Sequence, residues 1–167
     1  LGFNCTEWVT LHVAAMSIGA TPTGLYSTSS SEEIAYIINH SQARLVLVEN
    51  VEYLEKINQV REEMPTLAHV VLLKGSAPGE VLDWDTFLEK GAEEEVKSSD
   101  FENSLNSLDP NSAAERIYTS GTTGLPKAVV LTHKNIEWTA RAAVNFVGIS
   151  NEDLSISYLP LSHVAEQ

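Results

Sequence analysis

The chain has 167 residues, 43% of them hydrophobic, which suits one globular domain with a core of its own. A formal net charge of −13 disfavours nucleic acid, whose binding is dominated by phosphate contacts, and disfavours adhesion to anionic lipid through a basic surface. The single cysteine, Cys5, excludes an internal disulfide, fits a reducing compartment, and has no base among its neighbours Asn4 and Thr6 to activate it.

No stretch supplies the roughly 18 apolar residues of a membrane helix. The nearest, 8–20, is short and interrupted by Thr10, His12 and Ser17, and no signal-peptide pattern is present. The sequence starts at Leu1 and stops at Gln167 just past a helix-start signal, so both ends are expected to be cut from a longer protein.

In chain order, residues 7–20 read as a helix with Leu11, Ala14, Ala15 and Ile18 on one face and Gly19 at its end. A short strand is predicted over 21–26. Ser30-Ser-Glu-Glu33 is a capping box that opens a helix to about Gln42 with Ile34, Ile37 and Ile38 inward. The continuous apolar run 44–49 predicts a buried parallel strand. A helix over 53–64, stopped by Pro65, and a strand over 69–73 repeat the pattern. Residues 75–79 form a loop, 85–97 a helix bounded by the acidic run 93–95, and 98–112 a polar connector. Strands are predicted on both sides of a loop at 119–127, giving a hairpin over 114–132. Thr132 then caps a helix over 133–147 whose stripe is Ile136, Ala140, Ala143 and Val147. A turn at 151–153, a strand over 154–159 and a last helix start complete the chain. Alternation of strands and helices predicts an α/β fold with a mostly parallel sheet and helices on both faces.

The stretch Tyr118-Thr-Ser-Gly-Thr-Thr-Gly-Leu-Pro-Lys127 holds the densest chemistry. Gly121 and Gly124 admit positive φ and close approach of a ligand. Successive N–H groups in such a turn make an anion nest. Thr119, Ser120, Thr122 and Thr123 add hydroxyl donors. Lys127 adds a compact charge suited to phosphate, and Leu125 and Pro126 lead into it, the proline stiffening the approach. The spacing is not that of a Walker loop, where lysine directly follows the second glycine and a helix comes next. On chemistry alone, two readings stand: a polyphosphate cradle and a plain polar turn.

His163, after Pro160-Leu-Ser162, also has two readings, a locally satisfied helix-start residue or a substrate-proximal group; Glu166 one turn on is placed to pair with it. Ligands in parallel α/β sheets bind beyond the carboxyl ends of strands. Tyr118 and Leu159 both end predicted strands, so the loop and His163 are expected at one crevice. His12, His40, His69 and His133 are scattered with no zinc-type spacing. Trp8, Trp84 and Trp138 are expected in the core or at its edge. A G-x-S-x-G elbow is absent, and Ser120 has no base at a recognisable offset.

The stretch from Tyr118 to Lys127 resembles the phosphate loop of the acyl-adenylate-forming enzymes, and the likeness runs along the whole chain. Leu1-Gly-Phe-Asn-Cys-Thr-Glu-Trp8, Gly24-Leu-Tyr-Ser-Thr28 and Tyr158-Leu-Pro-Leu-Ser-His163 are most similar to long-chain acyl-CoA synthetases of the bubblegum type. One departure is Ala128, where that family usually has glycine.

The resemblance implies that residues 1–167 are part of the large N-terminal domain, with the C-terminal domain absent. The implied activity is long-chain fatty acid–CoA ligation with ATP, Mg2+ and coenzyme A: a fatty acid is activated as acyl-adenylate, then transferred to the thiol. It assigns 119–127 to the ATP phosphates and His163 to the acyl and pantetheine approach. The acidic motif near magnesium, the ribose-binding aspartate and the catalytic lysine would lie beyond Gln167, so no catalytic residue or metal ligand is expected here. It also implies a cytoplasmic parent, peripheral at the endoplasmic reticulum or other membranes. Two alternatives stand beside it: a catalytically silent nucleotide-binding or interaction module, and an adenylating enzyme for another acid. Acyl chain length and oligomeric state have no signal in these residues.

Overall fold

Local signals start most of the helices. The computed structural model of the protein describes all residues except 95, 120–123, 151, 155 and 164–167. In order the elements are α1 (Thr6–Ser17), α2 (Ser31–Ser41), β1 (Leu45–Val48), α3 (Val51–Gln59), a 3-10 turn (Arg61–Glu63), β2 (His69–Leu72), β3 (Leu82–Asp83), α4 (Trp84–Glu93), α5 (Ser98–Ser107), β4 (Ala113–Thr119), β5 (Lys127–Thr132) and α6 (His133–Val147). They form two compact units, one containing 1–3, 24–96 and 124–126, the other 4–23, 97–119 and the described residues from Lys127 on.

The first unit is an α/β layer. β1, β2 and β3 lie side by side in that order, all parallel, with Leu45 opposite His69 and Val71 opposite Leu82. Val48, Val71 and Leu72 are buried, as unbroken apolar runs in a covered parallel sheet should be. α2 packs on α3, α3 on β1, and α4 on β2 and β3. The capping box is present: Ser30 Oγ accepts the Glu33 N–H at 3.2 Å and Glu33 accepts the Ser30 N–H at 3.1 Å. It aims Ile34, Ile37 and Ile38 inward, where all three are buried.

Four boundaries in this unit differ from expectation. The helix expected from 53 begins at Val51, because Asn50 Oδ1 accepts the Tyr53 N–H at 3.0 Å and caps it. It ends at Gln59 rather than Met64. Arg61 tightens the following turn by donating to the carbonyls of Met64 and Leu67 at 3.1 and 2.6 Å. β3 was not expected; two residues carry no periodicity to read. α4 stops at Glu93 instead of 97, where acids crowd the negative end of the helix dipole.

In the second unit β4 and β5 form an antiparallel hairpin with Thr119 opposite Lys127 and Glu115 opposite Leu131. Thr132 caps α6 by accepting the Asn135 N–H at 3.2 Å, and Gly148 ends it at φ +75°, so α6 has the predicted bounds. The strand expected over 21–26 is a single parallel bridge, Thr23 to Arg116. Pro22 has no N–H to extend a ladder, and its carbonyl accepts the Arg116 N–H at 3.0 Å. The expected connector at 98–112 contains α5, whose Phe101 and Leu105, with Leu108 just past its end, recur at helical spacing within a polar composition. Leu154 and Ile156–159 form no strand: Leu154, Ile156 and Tyr158 are 99%, 87% and 78% exposed. A strand exists only by pairing, and here Asn4 takes the segment's polar groups instead, donating to the Leu159 carbonyl at 2.7 Å and accepting from the Leu161 N–H at 2.9 Å.

The inward face of α1 also differs. Ile18 is exposed, while Trp8, Leu11, His12 and Ala15 are half-buried. Trp138 is 72% exposed and packs in no core, since it projects from the outer side of α6. The α6 stripe from Ile136 to Ala143 faces an open cleft of about 1100 Å³ shared with α1, Glu115 and Leu161. No described helix is long and apolar enough to cross a membrane.

Candidate functional site

The hairpin strand β4 runs from a buried base to an exposed end. Ala114, Ile117 and Tyr118 of β4 are buried, and the strand emerges at Thr119, which is exposed. Lys127 starts β5, also exposed, directly opposite Thr119. Such facing residues have Cβ atoms roughly 5 Å apart, so the two side chains start from neighbouring positions at the end of the ladder. Ser120, Gly121, Thr122 and Thr123 lie outside the described residues. Gly124 has φ +120°, a conformation that L side chains rarely adopt, and Leu125 is 65% exposed. The half-buried Pro126 accepts a hydrogen bond at its carbonyl from the Tyr36 hydroxyl at 3.1 Å.

Behind the lysine comes a strand of six residues and only then a helix. A Walker-type arrangement, with the helix beginning at the lysine, does not occur here. Ala128 lies in β5 opposite Tyr118 and is not among the positive-φ residues. Extended backbone accepts its methyl group without strain, so the departure from glycine removes no group that faces the loop.

His163 is exposed, and its N–H donates to the Pro160 carbonyl at 2.8 Å. The argument that set it beside the loop required a strand ending at Leu159; that strand is absent, and the premise goes with it. Glu166 lies outside the described residues.

Sequence reasoning did not single out Tyr36 or Glu115. Nothing in the helical pattern of α2 distinguishes Tyr36, because its partner is 90 positions away. Glu115 carried no clear signal, since Arg116 follows it directly and the pair reads as an exposed charged step. It is 2% exposed, and its Oε1 lies 3.6 Å from Nε2 of His12, which stacks on Trp8 at 4.7 Å between ring centres. Burial pushes the His12 imidazole down to about 4. At neutral pH it is therefore uncharged, and its approach to Glu115 is a polar contact rather than an ion pair.

Among the described residues, no group of three or more His, Cys, Asp or Glu side chains is gathered to hold a metal ion. The donors at the loop, hydroxyl and ammonium, match phosphate oxygen rather than a hard cation, which wants carboxylates.

The AMP-binding enzyme family matches this chain over residues 1–167. The chain belongs to the AMP-binding enzyme family. It is 38% identical to the long-chain-fatty-acid–CoA ligase ACSBG2 of Xenopus laevis, an alignment covering 100% of this chain and 23% of that protein. Among solved structures, it superposes on a long-chain-fatty-acid-CoA ligase, FadD1 of Archaeoglobus fulgidus, with a TM-score of 0.71 and 25% identity over 98% of this chain and 30% of that one. An anthranilate CoA ligase, AuaEII, in complex with anthranoyl-AMP matches with a TM-score of 0.68 and 25% identity, over 87% of this chain and 26% of that one. This AMP-binding chain thus spans about a quarter of the length of its curated relatives. Its parallel layer and hairpin are the α/β architecture expected for the N-terminal domain of adenylate-forming enzymes.

Proposed function

We propose that this chain is the phosphate-holding part of an ATP-dependent long-chain fatty acid–CoA ligase. The observation that carries the reading is the hairpin: exposed Thr119 and Lys127 stand opposite each other in the ladder, at the end of a buried strand, in a chain similar along its whole length to such ligases. Attack of a fatty carboxylate on the α-phosphorus of ATP brings an anion toward a polyanion. Lys127 and the donors from Thr119 to Gly124 offset that repulsion by holding the β and γ phosphates. The α-phosphorus stays open to in-line attack, pyrophosphate leaves, and the thiol of coenzyme A then displaces AMP from the acyl-adenylate. Magnesium, when bound with the nucleotide, would neutralise phosphate charge. No carboxylate set for it is gathered among the described residues, so no step is derived through it. His163 is proposed near the acyl and pantetheine approach. The parent enzyme is proposed to be cytoplasmic, meeting membranes peripherally where its lipid substrate partitions.

The test is an ATP-dependent CoA-ligation assay of the full-length parent over acids of increasing length. In that protein Lys127→Ala slows adenylate formation by about 30- to 150-fold, the loss of one charge-assisted contact of ~2–3 kcal/mol. Thioester formation from supplied acyl-adenylate is largely spared, because the phosphates that Lys127 faces have already left. Equal losses in both half-reactions would show that the lysine serves folding or both steps instead.

A further inference from the structure

In the descending arm of the loop, 124–126, Gly124 and Leu125 are exposed and Pro126 is half-buried. Gly124 has no side chain to pack, and Leu125 is 65% exposed. Among the described residues, the hydrogen bond that ties this arm to the rest of its unit runs from the Tyr36 hydroxyl to the Pro126 carbonyl at 3.1 Å. Tyr36 projects from α2, a helix fixed at its start by the Ser30–Glu33 box and along its length by buried Ile34, Ala35, Ile37 and Ile38. Its ring stacks on His40, with centres 5.6 Å apart, which limits its own rotation. A hydroxyl on a helix held by its cap and its buried face therefore meets the backbone of the arm at Pro126.

We infer that Tyr36 is a positioning residue for phosphate binding: it holds the 124–126 arm, and with it the N–H groups of Gly124 and Leu125, in place for a polyphosphate. The inference rests on the phosphate-binding reading of the loop. An anion nest works only if its donors are oriented before the ligand arrives, since ordering them on binding costs affinity. Tyr36 touches no phosphate on this account and acts through the Pro126 carbonyl.

The test is hydrogen–deuterium exchange by mass spectrometry on the 167-residue chain at low concentration, with inorganic tripolyphosphate as the probe. In the unsubstituted chain, tripolyphosphate slows exchange in the peptide covering 119–131. Tyr36→Phe keeps the ring and its stack but removes the hydroxyl. It raises basal exchange of that peptide about three- to tenfold and weakens tripolyphosphate protection by a similar factor, the size of one neutral hydrogen bond. Peptides from the rest of α2 and from β1 and β2 keep their exchange rates. Lys127→Ala abolishes the protection without changing basal exchange. If the unsubstituted chain is protected and Tyr36→Phe behaves identically, the positioning role is overturned while the loop reading stands. If tripolyphosphate protects nothing in the unsubstituted chain, the loop reading falls and takes the inference with it. Faster exchange throughout α2 and the sheet in Tyr36→Phe would show a merely structural tyrosine and also overturn it.

Discussion

Lowering the pH from 7 to 5 should destabilise this chain through one residue, His12. Its side chain is 11% exposed, stacked on Trp8, and held uncharged by burial at about 4 against an ordinary 6.5. The unfolded chain therefore takes up a proton between pH 6.5 and 4 that the folded chain refuses. Stability is full above the unfolded value and is lost as the pH falls through this window. With those two values, proton uptake favours the unfolded state by about 2 kcal/mol at pH 5 relative to pH 7. That is a large share of the 5–15 kcal/mol typical of a folded domain. The carboxylates held low fall outside this range: Glu49, bonded by Lys74 and the Phe3 N–H, contributes stability that is lost only as the pH drops through the carboxylate region. Urea unfolding at pH 7 and pH 5, followed by tryptophan fluorescence, measures the change. His12→Gln, which cannot take up the proton, should remove most of the difference between the two curves. A variant with the same pH dependence as the unsubstituted chain would refute the assignment to His12.

Two other outcomes are expected. The 167-residue chain alone should show weak ATP binding by calorimetry and no AMP release with a long-chain acid and coenzyme A; it should also self-associate, because Trp138, Phe146, Leu154 and Ile156 are exposed and the cleft between α1 and α6 is open. Tight binding with turnover would mean that a complete site lies within these residues. Ser30→Ala should cost about 1 kcal/mol in urea unfolding by removing the α2 cap, and an unchanged midpoint would show that the capping hydroxyl adds nothing to the buried face of α2.

Local chemistry was legible wherever it acts over a few residues. The Ser30–Glu33 box, the Thr132 cap and Gly148 mark helix ends with side chains and conformations that interact three or four positions away. The apolar runs at 45–48 and 69–72 announce buried parallel strands because no face of such a strand meets water. The glycine- and threonine-rich stretch stands out by composition, since hydroxyl, glycine and lysine in one turn suit an anion, and the same composition also suits a plain polar turn. Failures came where a partner far along the chain decides the outcome. Residues 154–159 have strand composition, yet a strand requires a neighbour, and Asn4 binds the segment instead. The helix at 98–107 exists against a composition rich in serine and asparagine, whose side chains compete with the helical backbone. Folding α1 against β4 is what sets Glu115 beside His12 and desolvates that imidazole. Tyr36 reaches Pro126 across 90 positions. The sequence by itself determined the capped helices α2 and α6 and the buried strands β1 and β2, because capping and periodicity are local; only the tertiary structure decided which segments pair as strands, which groups are desolvated and which backbone carbonyl a tyrosine can reach, because these depend on what packing brings within a few ångströms.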